Sequence, residues 1–275
     1  MRIVELSDHP GVLLREEQER QRGAEQEAES RYAAELARYQ ERVRAARARR
    51  EEARRERRWL AWLRAVFAAR RERARAPRPP AVPGWRSGQE EILAAGRAGE
   101  QRVASDLGRV LDDAWVLFRG YHNRGGEIDH LLVGPQGVFA MEGKHRNATV
   151  HVDGDHWTYD KYDRYGNLVE QGEITDRGGR SPSMQVNQPA DQLEKFLRSR
   201  GQRVTIRRIV VLTHDRSRLG TCRNPTVSVT SSTDRVLAMV RESPAELAPG
   251  QATEIETLIR QDHRFHETRT RRSQR

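Results

Sequence analysis

The sequence predicts an α/β or α+β domain of about 150 residues set behind a long, charged α-helix. Three observations predict it. Residues 14–76 contain no proline and are rich in the helix formers Ala, Glu, Arg, Gln and Leu, with their single glycine, Gly23, near the start. Four prolines, Pro77, Pro79, Pro80 and Pro83, then interrupt the chain, removing backbone donors and constraining φ. Beyond them, short apolar runs alternate with helical patterns and turn signals. The expected division is residues 1–76 helical, 77–87 a stiff linker, 88–240 globular, and 241–275 a short helix with a basic, flexible tail.

Within the first segment, Tyr32, Leu36, Tyr39 and Val43 are spaced as a thin heptad seam. The seam continues into Ala46, Arg50 and Ala53, which are small or charged. A short coiled coil supporting self-association is one expectation, and a solvated charged helix the simpler one. Trp59, Trp62, Leu63, Val66 and Phe67 share a helical face with arginine clusters on both sides. Such a face would suit an anionic membrane surface, although packing on the protein itself or on a partner helix is the commoner use.

The formal charge of +10 is unevenly spread. Lys+Arg against Asp+Glu is 22 to 14 over residues 1–87, 21 to 20 over 88–240, and 7 to 6 over 241–275. The basic excess therefore lies in the N-terminal third, which points to a polyanionic partner for that segment and not for the rest. A single cysteine, Cys222, excludes an intrachain disulfide and a Cys-rich zinc site, and fits a reducing, cytoplasmic setting. The start, MRIVELSDHP, lacks the basic-then-apolar pattern of a signal peptide, and no window approaches 18 apolar residues.

The globular elements read in order as follows. Ser87-Gly-Gln-Glu90 has the form of a capping box opening a helix over 88–108, with Ile92, Gly96, Gly99, Val103 and Leu107 on one narrow face. The two glycines of that face would let the helix lie close to a sheet. WVLF at 115–118 reads as a strand, and EIDHLLVG and GVFAMEGK as two more, joined through Pro135-Gln136-Gly137. TVHVDGDHWTY suggests a hairpin turning at Asp153-Gly154, and 161–183 a polar, Gly-rich loop. A helix follows over 184–200, then strands at 205–213 and 226–231, and one or two short helices over 232–262.

The second and third strands carry the chemistry. Side chains alternate along a strand, so Glu142 and Lys144 share a face with Val138 and Ala140, and Asp129 shares one with Leu131 and Val133. The tight connection brings Asp129 opposite the Glu142–Lys144 end, with a pairing of 129 to about 143 or 144 expected. Two crowded carboxylates oppose each other's ionisation, and a hard divalent cation resolves the conflict. Such an ion polarises a phosphodiester and activates water, while a lysine stabilises charge on phosphate oxygens. Glu-x-Lys alone is commonly a solvated surface pair. Here it ends a run, Val133–Met141, too apolar for a freely exposed strand, and acids emerging at one end of buried strands are typical of α/β sites.

Gly96-Arg-Ala-Gly99-Glu100, Gly126-Glu-Ile128-Asp129-His130, Gly134-Pro-Gln-Gly137-Val-Phe139 and Glu142-Gly-Lys144 together resemble the NERD (nuclease-related) domain. That domain is similar to the PD-(D/E)xK restriction-endonuclease-like superfamily. The resemblance covers roughly residues 94–214. It implies an α-β-β-β-α-β core sheet flanked by helices and a Mg²⁺-dependent nuclease site, with Mn²⁺ as a substitute. It also implies Asp129 and Glu142 as metal ligands, Glu100 as an outer or water-mediated ligand, Lys144 as the catalytic lysine, and Gln185 as a hydrogen-bonding partner of the lysine, the attacking water or a phosphate. Their bland alternatives are a solvated helix acid for Glu100 and an ordinary helix N-terminal polar residue for Gln185. One position departs from the family's common form: Gly143 stands where a β-branched or small polar residue is usual, and it would either make room for substrate or slacken the strand.

Alternation turns His130 away from Asp129, so a packing or hydrogen-bonding role is expected for it, and a phosphate contact or plain surface for His145. No phosphate-binding glycine loop, His-Glu-x-x-His pattern or serine elbow is present. The implied partner is nucleic acid, DNA first. Nine arginines between Arg42 and Arg58 would add salt-sensitive phosphate contacts. The alternative is a protein that binds nucleic acid, or docks through its helix, without cutting.

Overall fold

The computed structural model describes residues 1–80, 88–248 and 250–273, which fall into two compact units. Residues Leu14–Glu90 form one, and Met1–Leu13 with Glu91–Arg275 form the other.

The sheet unit is built on six strands in the order β1-β2-β3-β4-β8-β10. These are β1 (Arg2–Glu5), β2 (Val116–Asn123), β3 (Gly126–Gly134), β4 (Gly137–Lys144), β8 (Ile206–Leu212) and β10 (Ser228–Thr230). β2, β3 and β4 form an antiparallel meander, whereas β1, β8 and β10 pair parallel to β2, β4 and β8. Counting α3 (Gly88–Val110) and α4 (Pro182–Ser199), the order α3-β2-β3-β4-α4-β8 is the expected α-β-β-β-α-β core.

Both sheet faces are covered, which is why its strands read as near-continuous apolar runs. On one face, Val103, Ala104 and Leu107 of α3 and Val236, Leu237 and Val240 of α5 (Thr233–Glu242) pack on Leu117, Leu132, Phe139, Met141 and Val211. On the other, Val186, Ala190, Leu193 and Leu197 of α4 and Ile255 and Ile259 of α6 (Gln251–Ser273) pack on Phe118, Ile128, Leu131, Ala140 and Val210. A second sheet, β7-β6-β5-β9, adds Val150, Val152, Trp157 and Tyr159 to that layer. Its strands are β5 (Thr149–Asp153), β6 (His156–Tyr162), β7 (Leu168–Glu173) and β9 (Arg218–Arg223). The indole of Trp157 donates to Ser183 Oγ of α4 at 3.1 Å, which ties the second sheet to the helix that serves the site.

Several expectations are corrected. Residues 1–13 belong with the sheet rather than with the helical segment, because β1 lies along β2. The segment 161–183 is not all loop: β7 returns along β6, and its exposed side chains, adjacent Leu168 and Val169 followed by polar residues, gave no alternation to read. The tail is helical to Ser273, with Ile255, Ile259 and His263 buried, so an amphipathic face rather than charge governs it. In α3, Gly99 fulfils the close-approach role, since a Cβ there would lie 2.3 Å from Thr213 Oγ1. Gly96 meets nothing within 4 Å, and Ile92 is exposed rather than on the packed face. Ser87 of the capping box and residues 81–87 of the linker lie outside the described residues.

The helical unit corrects the single helix expected over 14–76. α1 (His9–Arg55) stops, and α2 (Trp59–Arg73) begins after a turn. Arg57 has φ +56, and the Arg58 N–H closes back on the Ala53 carbonyl at 3.0 Å. This is the six-to-one bond that caps a helix through a left-handed residue, here at a cost of about 1 kcal/mol because the residue is not glycine. No glycine or proline marks the turn. The Arg42–Glu72 ion pair, 3.2 Å long, joins points equally far from the turn, so α2 runs back antiparallel to α1. Ala46 and Ala53, the small residues on the extended seam, are the buried ones on that stretch of α1. Among the described residues, no helix is long and apolar enough to cross a membrane.

Candidate active site

The site forms where the β3–β4 hairpin opens. Its ladder runs from Gly134–Gly137 to His130–Met141 and stops there. By that register Asp129 would face Glu142, so the expected pairing of 129 with 143 or 144 is displaced by one or two residues. The backbone does not make that pair. Instead Asp129 Oδ2 accepts the Gly143 N–H at 2.8 Å, so a side-chain carboxylate takes the place of a ladder carbonyl. On the other side of β3, the β2 ladder also skips Asp129 and its partner Gly120. Gly120 has φ +65, and a Cβ there would sit 2.3 Å from the Ser7 carbonyl, so glycine is required. The sheet is thus loosened on both sides of Asp129, whose carboxylate reaches across to β4.

Glu142 and Lys144 project from β4 on the face that α4 covers. Lys144 Nζ donates to Glu142 Oε1 at 2.6 Å and to Gln185 Oε1 at 2.8 Å. Gln185 sits in the first turn of α4, which Ser181 caps. Its Nε2 donates to the Arg180 carbonyl at 2.8 Å, so both ends of the amide are engaged and it holds the lysine in place. Glu100 comes from α3 on the opposite face. Its Cγ is 3.8 Å from where a Gly143 Cβ would be, and Asp129 Oδ2 is 3.6 Å from that point. All five candidate residues therefore border the same opened strand end. A cavity of about 180 Å³ lies beside Lys144 and Gln185, lined also by His145, Arg146, Trp157 and Asp176.

Burial is costly for these acids and leaves its mark on their protonation. Glu142 is only 5% exposed, and burial with the nearby Asp129 charge pushes its pKa up, Lys144 opposing. Asp129 is raised by burial and held back by Lys144 and the Gly143 N–H. Burial pushes Glu100 up to about 9, and Asp129 adds to the rise. Burial alone would lower the pKa of Lys144, but Glu142 and Asp129 outweigh it and raise the net value, so the ammonium is stable. Carboxylates that resist ionisation beside one lysine are short of positive charge, and an all-oxygen set of this kind suits a hard divalent cation. Among the described residues, no three His, Cys, Asp or Glu side chains are gathered as a ready-made ligand set. Two carboxylates are what Mg²⁺ commonly takes, with water and substrate oxygens completing its shell.

His130 is buried with Nε2 3.0 Å from the Glu100 carbonyl, and burial pushes its pKa down to about 4. It is a neutral packing histidine, as alternation implied, and it fastens α3 to β3. His145 Nδ1 lies 3.3 Å from Thr213 Oγ1 and its ring 4.9 Å from that of His214. Sequence reasoning passed over Glu127, two residues before Asp129. Burial pushes Glu127 up to about 7, the Ser7 hydroxyl donates to it at 3.2 Å, and its charge acts on both Asp129 and Glu100. Its alternation with Asp129 was the available signal. Arg119, which lowers Glu100 and Asp129, and Arg180, which lowers Glu142, come from a polar strand segment and a Gly-rich loop that carried no signal.

Two expected results follow from this geometry. Gly143 is not forced on the strand, because a Cβ would meet only ordinary contacts at 3.6–3.8 Å. Gly143→Ala is therefore expected to fold with a thermal midpoint equal to or above the parent's, gaining up to about 1 kcal/mol from the lost glycine entropy. A fall in the midpoint would show that the strand end needs glycine. The second concerns pH. With a folded pKa near 9, Glu100 keeps a proton that the unfolded chain has already lost above its ordinary value of 4.5. The folded state then binds more protons, so stability falls as pH rises through the window toward 9. Glu127 and Glu142 reach only about 7 and Asp129 about 6, so above pH 7.5 the slope of at most about 1.4 kcal/mol per pH unit belongs mainly to Glu100. Denaturant melts of the metal-free protein from pH 7.5 to 9 should show the decline, and Glu100→Gln should flatten it.

Residues 95–213 match the family model described as NERD, Nuclease-related domain. The match spans α3 beyond its first turns, the β2–β4 meander, the second sheet's first three strands, α4 and β8. No curated protein and no solved structure matches the chain.

Proposed function

Because residues 95–213 form a nuclease-related domain, we propose that this chain is a Mg²⁺-dependent nuclease that hydrolyses phosphodiester bonds of DNA. Asp129 and Glu142 would hold the ion, Glu100 would support it through water, and Mn²⁺ would serve in place of Mg²⁺. The observation that carries the reading is the opened end of the β3–β4 hairpin. There Asp129, Glu142 and Lys144 converge, and the two acids are short of positive charge.

The bound ion would polarise the phosphate and lower the pKa of a water molecule. The chain's own residues do the rest. Asp129 is fixed by the Gly143 N–H, so one carboxylate oxygen is spent on the backbone and the other is left for a ligand. Lys144 has three donors and uses two, on Glu142 and Gln185. The third is left to meet a phosphate oxygen or the attacking water, where the ammonium offsets the charge that builds during attack. Gln185 prevents Lys144 from collapsing wholly onto Glu142.

The test is cleavage by the full chain of supercoiled plasmid and of single-stranded DNA and RNA, in Mg²⁺, Mn²⁺ or EDTA. Nicked or linear DNA that forms with either metal and not with EDTA is the expected outcome. DNA binding without cleavage under any metal would assign the domain to a non-catalytic role, and cleavage confined to RNA would overturn the substrate.

A further inference from the structure

Part of the apolar face that the sequence places on α2 is left open. At 100° per residue, the fifteen residues of α2 divide into two arcs. Ala61, Trp62, Ala65, Val66 and Ala69 are half-buried, and they share their arc with Glu72, whose ion pair with Arg42 turns that side toward α1. Trp59, Leu60, Leu63 and Phe67 lie on the adjoining arc and are 66%, 56%, 37% and 65% exposed. No residue of α2 is fully buried. Four large apolar side chains in one stripe form a contiguous patch of the kind that marks an interaction surface.

What surrounds the stripe selects its occupant. Residues 54–75 contain nine arginines and two acids, Glu56 and Glu72. Both acids are already paired, with Arg58 and with Arg42 and Arg75. Arg64 and Arg71 border the apolar arc, and Arg70 falls within it one turn beyond Phe67. A nucleic acid would engage the guanidinium groups, and unpaired bases would stack on Trp59 and Phe67, but neither covers the exposed Leu60 and Leu63. A second copy of α2 would cover the stripe but bring like charges together. An anionic bilayer surface satisfies both. The aromatic and leucine side chains enter the boundary between headgroups and acyl chains, and the arginines stay level with the phosphates.

We propose that α2 is an interfacial helix that seats this chain on anionic lipid, with Trp59, Leu60, Leu63 and Phe67 inserted and Arg64, Arg70 and Arg71 against the headgroups. The helix lies in the plane of the surface and does not cross it.

Flotation of the full chain with vesicles tests this, using phosphatidylcholine alone and phosphatidylcholine with phosphatidylglycerol. Wild type is expected to float with the anionic vesicles and not with the neutral ones. Trp59→Ser/Leu63→Ser/Phe67→Ser is expected to lose roughly tenfold or more of that binding while keeping its circular dichroism. Arg64→Gln/Arg70→Gln/Arg71→Gln, which keeps the apolar stripe, serves as the second variant and is expected to lose anionic-lipid binding as well. Wild type that stays with the soluble fraction overturns the proposal, as does a triple serine variant that floats equally well. A serine variant that instead changes sedimentation coefficient, or loses affinity for a DNA duplex, assigns the stripe to a second copy or to nucleic acid and also overturns it.

Discussion

Asp129→Asn is expected to abolish metal-dependent cleavage, by at least about a hundredfold, without unfolding the protein. The amide is isosteric and keeps an oxygen that can accept the Gly143 N–H, now 2.8 Å from the carboxylate. The opened strand end should therefore hold its shape. What would go is the negative charge proposed to draw the cation, together with its repulsion of Glu142 and Glu100. Removing a buried charge that neighbours oppose relieves the fold, so the thermal midpoint at pH 8 should be equal to or above that of wild type. Activity lost with stability kept or gained is the mark of a residue retained for function. Cleavage rates on plasmid and melts in EDTA, measured on one preparation, decide it. Cleavage at the wild-type rate would remove Asp129 from the site.

Lys144→Met should cost a similar factor in rate but leave the cation bound. Methionine preserves most of the stem and deletes the ammonium that now contacts Glu142 at 2.6 Å. Glu142 is then released from its intramolecular partner, so calorimetric titration with Mn²⁺ should give binding no weaker than wild type. That result would assign the loss to charge stabilisation by the free donor of Lys144. Gln185→Ala acts one step further away. It removes the acceptor 2.8 Å from Nζ and frees the lysine to swing onto Glu142, with an expected loss of about tenfold in rate. As a positioning residue, Gln185 should be replaceable in part by glutamate or asparagine, whereas no neutral side chain should replace Lys144. Weaker Mn²⁺ binding in Lys144→Met would mean that the lysine organises the ligands rather than the chemistry.

Much of this site was legible because strand alternation and a tight turn fix it locally. Gly134 to Gly137 closes the hairpin, and the period of two then places Asp129, Glu142 and Lys144 at one end. The fraying at Asp129 was not legible, since it depends on Gly120 and Ser7, brought in from β2 and the N-terminal segment. That is why the pairing was misplaced by one or two residues. The same division holds for the fold. The buried strands β3, β4 and β8 and the amphipathic α4 announce themselves by pattern. β1 pairs across more than a hundred residues, and β7 and β9 are exposed edge strands of a small sheet, so neither periodicity nor local turn chemistry marks them. The turn at Arg57 interrupts good helix formers without glycine or proline. It exists because α2 folds back on α1, a tertiary preference that overrides propensity.

Asp129 and Glu142 are proposed to share one divalent cation at the opened end of the hairpin. Crystals soaked in Mn²⁺ and measured at its absorption edge test that most directly. The expected result is one anomalous peak about 2.2 Å from a carboxylate oxygen of each residue, absent in crystals of Asp129→Asn. A saturating soak with no peak between them, or a peak held elsewhere in a protein that still cleaves DNA, would contradict it.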